Sequence, residues 1–175
     1  MNYDYLKKVK SPQILVQALK LVGTKEIIGI KHSDEIMSWA KELGIQKTYT
    51  ADEIPWCGLF VAYVCKKARL ELPFTATESL WALNWNKFGT KEKTAMLGDV
   101  LTFKRKGGGH VGIYVGEDSK CYHVLGGNQS NMVTITRIEK IRCAGIRRTP
   151  WKFSQPDSVR AVAVNASGFI SKNEA

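Results

Sequence analysis

The chain has 175 residues, 44% hydrophobic and 24% charged, which describes one globular domain large enough to bury a core and requires no second domain. Its longest nearly uncharged apolar run, Pro55 to Cys65, is too short for a membrane span, and Gln17 and Lys20 interrupt the N-terminal apolar stretch, so neither a span nor a signal peptide is expected. The formal charge of +10 attracts polyanions, nucleic acid and anionic cell wall among them, but the bases are scattered and lack the aromatic interleaving of a single-strand binder.

In chain order, residues 13–22 and 34–43 carry apolar residues at helical spacing, and Gly23 and Gly44 stop them. A third helix is predicted from about Pro55, with Asp52 or Glu53 as its cap and Phe60, Val61, Val64, Cys65 and Ala68 facing inward. Residues 71–97 read as a connection with a short helix near Ser79 to Trp85. From Gly98 the period changes to two, and 99–103, 110–115, 122–128 and 132–138 read as successive antiparallel strands. Helices first and strands afterwards predict an α+β domain, N-terminal helices packed on a central antiparallel sheet. The domain is expected to span residues 1–150, with 151–175 a C-terminal extension of unassigned role.

The chemistry concentrates in two blocks. Cys57 sits at a predicted helix start, where free amides and the macrodipole favour a thiolate; Cys65, two turns later, receives no such help. The four cysteines form no Cys-x-x-Cys pair and no zinc-ligand spacing, so no metal, cofactor or disulfide framework is expected. Of the three histidines, His32 lies in a polar stretch and reads as a surface residue. If Gly116 to Lys120 is the turn, Val115 faces Cys121 and Ile113 faces His123; His110 then lies on the face of Gly112, Tyr114 and Val124, and His123 on that of Val111 and Ile113. His110 is therefore the expected base.

In that register Asn128 is diagonal to His110 and is the expected group holding the imidazole, Gln129 pointing away unless Gly126-Gly127 makes a bulge. Gly58 and Gly112 read as space for a substrate. The Cys57 amide at the helix start is the expected oxyanion donor. Trp56, Trp81 and Trp85 read either as a groove lining or as core. The triple glycine 107–109 lacks the Gly-Lys-Ser/Thr ending and precedes a strand, which argues against a phosphate loop.

Gly23-x-x-Glu26-x-x-Gly29, Asp52-Glu53-x-Pro55-Trp56-Cys57, Trp85-x-x-x-Gly89, Gly98-Asp99-Val100, Gly109-His110-Val111-Gly112, Leu125-Gly126-Gly127-Asn128-Gln129 and Arg148-x-Pro150 together resemble the CHAP-like cysteine amidohydrolase/peptidases of the papain-like clan, especially phage and prophage cell-wall hydrolases. The resemblance implies a papain-like fold and hydrolysis of a peptidoglycan amide bond, with Cys57 as nucleophile, His110 as general base and acid, and Asn128 orienting the imidazole. Trp56, Trp85, Gly109 and Gln129 are the expected substrate contacts. The resemblance points to a phage endolysin, made in the host cytoplasm and acting on the wall after release; separately, the chain is expected to be a monomer, and its basic surface to supply adhesion to an anionic envelope. The competing readings are an inactive wall-binding module and a basic nucleic-acid binder.

Overall fold

A computed structural model describes residues 3–151, 154–165, 168–172 and 174. Three helices, α1 (Gln13–Leu19), α2 (Asp34–Glu42) and α3 (Cys57–Lys67), pack on one face of a seven-stranded sheet. The strands are β1 (Thr90–Lys91), β2 (Val100–Arg105), β3 (Gly108–Glu117), β4 (Cys121–Gly126), β5 (Thr134–Glu139), β6 (Cys143–Arg148) and β7 (Ile170–Ser171), in spatial order β1-β6-β2-β3-β4-β5-β7. All neighbours are antiparallel except β5 and β7. The chain is thus an α+β protein with helices on a mostly antiparallel sheet.

The helix limits follow the sequence chemistry. The Ser33 hydroxyl accepts the Ile36 amide at the head of α2, and Gly44 takes a φ of 75° just past its end, where the Ile45 amide returns to the Ala40 carbonyl. The expected acidic cap of α3 is absent: its N-cap is Trp56 and has no side-chain cap. Asp52 is fully buried elsewhere, accepting the amides of Ile27 (3.0 Å) and Ser33 (2.8 Å) and bonding His32 Nδ1 at 3.0 Å. His32 is therefore tied to a buried carboxylate, the partner the sequence left unnamed. Nor does Gly58 leave room for a substrate. A Cβ there would lie 2.1 Å from the Ser79 carbonyl oxygen, so the glycine lets the 3-10 turn Glu78–Leu80 abut the start of α3.

The β3–β4 hairpin differs from the expected register. Glu117 faces Tyr122, Gly116 faces His123, and after a bulge Tyr114 faces Val124 and Ile113 faces Leu125. The turn is tighter than expected because the Asp118 side chain accepts the Lys120 and Cys121 amides, at 2.9 and 3.0 Å, and closes it. At Ile113 the slip is two residues, which returns every side chain to its expected face. Val111, Ile113, Val115 and Leu125 meet the helices, and His110 shares the other face with Tyr114, Val124 and, across β2, Phe103. Gly112 opens no cleft, since a Cβ there would strike Val124 at 2.5 Å.

Two distant sequence blocks are joined by charge: Arg148 binds both carboxylate oxygens of Asp99 at 2.9 and 2.8 Å, fixing β6 beside the start of β2. His123 is buried in a second polar cluster, with Nδ1 on Tyr3 Oη (2.8 Å) and Nε2 on Asp118 Oδ2 (2.9 Å), which also receives Arg137 Nε (2.8 Å). Burial alone would raise the Asp118 carboxyl, but the bonds from Arg137, His123 and the two amides outweigh it and hold it well below the usual carboxylate range. Its contribution to stability is then present above the unfolded value near 4 and is lost as pH falls below that. Asp118→Ala is expected to cost about 3–5 kcal/mol in urea unfolding, because it strands the buried Arg137 and His123.

Candidate active site

Pro55 and Trp56 lead into α3, and Trp56 is clamped in the core: its indole Nε1 donates to Glu26 at 2.9 Å and its ring lies under Gly127, where a Cβ would meet it at 2.7 Å. Cys57 therefore starts the helix from a rigid base. Pairing of β3 with β4 begins only at Ile113 and Leu125, and beside that junction the Cys57 thiol is met by the Val111 backbone amide, next in the chain to His110. A Cβ on Gly126 would approach His110 Nε2 at 3.1 Å. The adjacent glycines 126 and 127 thus let one backbone pass against the imidazole and against the tryptophan preceding the thiol.

The imidazole is held by Gln129, where the sequence pointed to Asn128. His110 Nε2 lies 3.0 Å from Gln129 Oε1, while Gln129 Nε2 donates to the Val124 carbonyl at 3.2 Å and to the Thr134 carbonyl. Because the amide nitrogen already serves two carbonyls, the oxygen must face the ring; an acceptor-only oxygen requires His110 Nε2 to carry the proton. Nδ1 is left as the basic nitrogen. The reversal of 128 and 129 comes from the turn: Asn128, Ser130 and Asn131 have φ of 55°, 53° and 62°, which rolls the chain back over Gly126. The Glu26 amide on the Asn131 carbonyl (3.0 Å) and the Val133 amide on the Thr24 carbonyl (2.8 Å) hold that turn in place.

Burial opposes charge on both the thiol and the imidazole. Burial pushes the Cys57 thiol up, although the amides of Val111, Gly58 and Cys57 and the charge of Arg105 favour the thiolate. The helix-start effect expected from the sequence operates, but desolvation exceeds it. Burial also drives His110 down to about 4, against the Glu174 carboxylate and the Gln129 bond, which favour the protonated ring. The unfolded chain binds this proton near pH 6.5 and the folded one only near 4, so the fold loses about 3 kcal/mol as pH falls from 6.5 to 4. Urea unfolding across that window is expected to show the slope, and His110→Gln to reduce it.

Of the remaining expected contacts, Trp56 and Trp85 are fully buried in this structure. Trp85 donates Nε1 to the Ser79 carbonyl at 2.9 Å and packs between Phe74 and Phe88. Gly109 does line a groove, with Glu78, Trp81, Leu83, Asn84 and Gly108. Here the exposed Trp81 takes the place the sequence gave to Trp56 and Trp85; it is an extended residue (φ −86°, ψ 105°) between the 3-10 turns Glu78–Leu80 and Ala82–Lys87, whereas Trp85 lies within the second turn and is buried. One wall of the groove abuts the start of α3 through Ser79 and Gly58, and the other adjoins His110 through Gly109.

No group of three His, Cys, Asp or Glu side chains able to hold a metal occurs among the described residues, and no described helix is long and apolar enough to cross a membrane. Comparison with curated proteins finds no match. The sequence model of the NlpC/P60 family, however, matches residues 48–156, from ahead of Cys57 through Gln129 to beyond β6. With a buried thiol at a helix start, an adjoining histidine held by a glutamine, and that match over more than half its length, the chain belongs to the NlpC/P60 family, papain-like cysteine peptidases that act on peptidoglycan.

Proposed function

We propose that the chain hydrolyses an amide bond of peptidoglycan through Cys57, His110 and Gln129. The observation that carries this reading is the committed orientation of Gln129, which leaves His110 Nδ1 to take a proton. In the reaction the Cys57 sulfur gives its proton to Nδ1 and attacks the amide carbonyl carbon; the oxyanion forms toward the Cys57 backbone amide at the head of α3. Collapse breaks the carbon–nitrogen bond, and the imidazolium gives its proton to the departing amine. Water, activated by the same imidazole, then cleaves the thioester and restores the thiol.

The motif likeness to CHAP-like phage and prophage hydrolases supports a finer reading as an endolysin, made in the host cytoplasm and reaching the wall after release. It cuts either the N-acetylmuramoyl-L-alanine bond or a bond within the stem peptide, as a monomer whose +10 charge holds it to an anionic wall. A soluble disaccharide-peptide separates these: an amidase releases the whole peptide from the sugar, and an endopeptidase shortens the peptide on it. Added salt is expected to slow digestion of intact walls and leave turnover of this small fragment nearly unchanged, because exposed charges are screened beyond about 8 Å at physiological ionic strength. No cleavage of either amide would remove the proposal.

A further inference from the structure

Cys57 is 3% exposed and His110 is 1% exposed, so a substrate reaches them only if something moves. The segment around β7 is the element to consider. The Gly168 carbonyl accepts Arg137 Nη1 at 2.7 Å, Ile170–Ser171 pair with Arg137 and Ile138, and the Ser171 carbonyl accepts Arg142 Nη1 at 3.0 Å. Glu174, itself buried, then closes a two-pronged ion pair on Arg142 at 2.8 and 2.7 Å. Arg142 is fixed beside the site by donating Nε to the Lys104 carbonyl at 3.1 Å, and Lys104 and Phe103 are the β2 partners of Gly109 and His110. Glu174 and Arg142 both act electrostatically on His110. Phe169, the largest side chain of this segment, is 98% exposed, so guanidinium contacts rather than buried apolar area hold the segment down.

We propose that this segment is a displaceable strap whose Glu174 occupies a carboxylate-binding subsite on Arg142, the place a free carboxylate of the substrate peptide takes when the strap leaves. A planar guanidinium recognises any carboxylate in two-pronged fashion, so a peptide acid competes directly with Glu174. The identity of the incoming acid rests on the peptidoglycan reading; the strap itself does not.

The test uses the full chain and iodoacetamide, a neutral thiol probe, with alkylation of each cysteine followed by peptide mass analysis. Glu174→Gln and Glu174→Lys are expected to speed alkylation of Cys57 by about tenfold or more, with Cys65 still protected. Arg142→Ala is expected to speed it as well. It should also raise KM for a muropeptide with free carboxylates and leave KM for the amidated form unchanged. An unchanged Cys57 rate in Glu174→Lys and Arg142→Ala overturns the proposal, as does a rise shared equally by Cys65, which reports general loosening. A faster Cys57 without cleavage of any muropeptide sustains the strap and removes the peptidoglycan reading.

Discussion

Replacing Cys57 by alanine is expected to reduce hydrolysis by about 10⁴-fold or more and to leave the unfolding free energy within about 1 kcal/mol of the parent. The sulfur is the only protein atom that bonds to the carbonyl carbon in the proposed reaction, so no neighbouring side chain substitutes for it. Alanine fits a helix start, and the position is held by Trp56 on one side and Gly58 against Ser79 on the other, neither of which needs the sulfur. Cys65→Ala gives the opposite pattern. Cys65 is fully buried on the same helix and its thiol is pushed up by burial alone, so the variant should keep its activity and lose about 1 kcal/mol to the small cavity. Muropeptide turnover and urea unfolding measured on both variants check this, and comparable losses of activity would mean the nucleophile is misassigned.

Gln129→Ala is expected to lower kcat by about 10²–10³-fold with little change in KM, since the glutamine touches the imidazole and not the groove. Without Oε1 the ring can adopt the other tautomer, with its proton facing the thiol and no basic nitrogen available to it. Asn128→Gly should keep most activity, because glycine adopts the left-handed φ of 55° that position requires. A larger loss at 128 than at 129 would restore Asn128 as the orienting residue.

The sequence carried the face of each histidine but not the reach of the turn. Alternation along β3 and β4 was strong enough that even a two-residue slip kept His110 away from Val111 and Ile113, because side chains repeat every two residues. Around Gly126 to Asn131 no such period exists. There the outcome depended on three non-glycine residues taking positive φ, and the asparagines at 128 and 131 were the available signal, since asparagine enters that region more readily than most residues. Trp56 and Trp85 illustrate a different limit: a tryptophan at helical spacing reads alike as core or as groove, and only packing against Trp39 and Phe88 decides. Strand β6 is absent from the predicted strands, because its arginines interrupt the alternation and serve distant partners, Arg147 the carbonyls of Phe88 and Gly89 and Arg148 the Asp99 carboxylate. The pairing of Arg142 with Glu174 spans 32 residues and has no local pattern at all.

The most direct measurement is digestion of purified peptidoglycan by the parent chain and by Cys57→Ala side by side, with new amino groups counted and released fragments weighed by mass spectrometry. The account predicts new amines from the parent only, in fragments that differ by one added water at a single type of amide bond, with the glycan chains uncut. New reducing sugars without new amines, or equal release by Cys57→Ala, would contradict it.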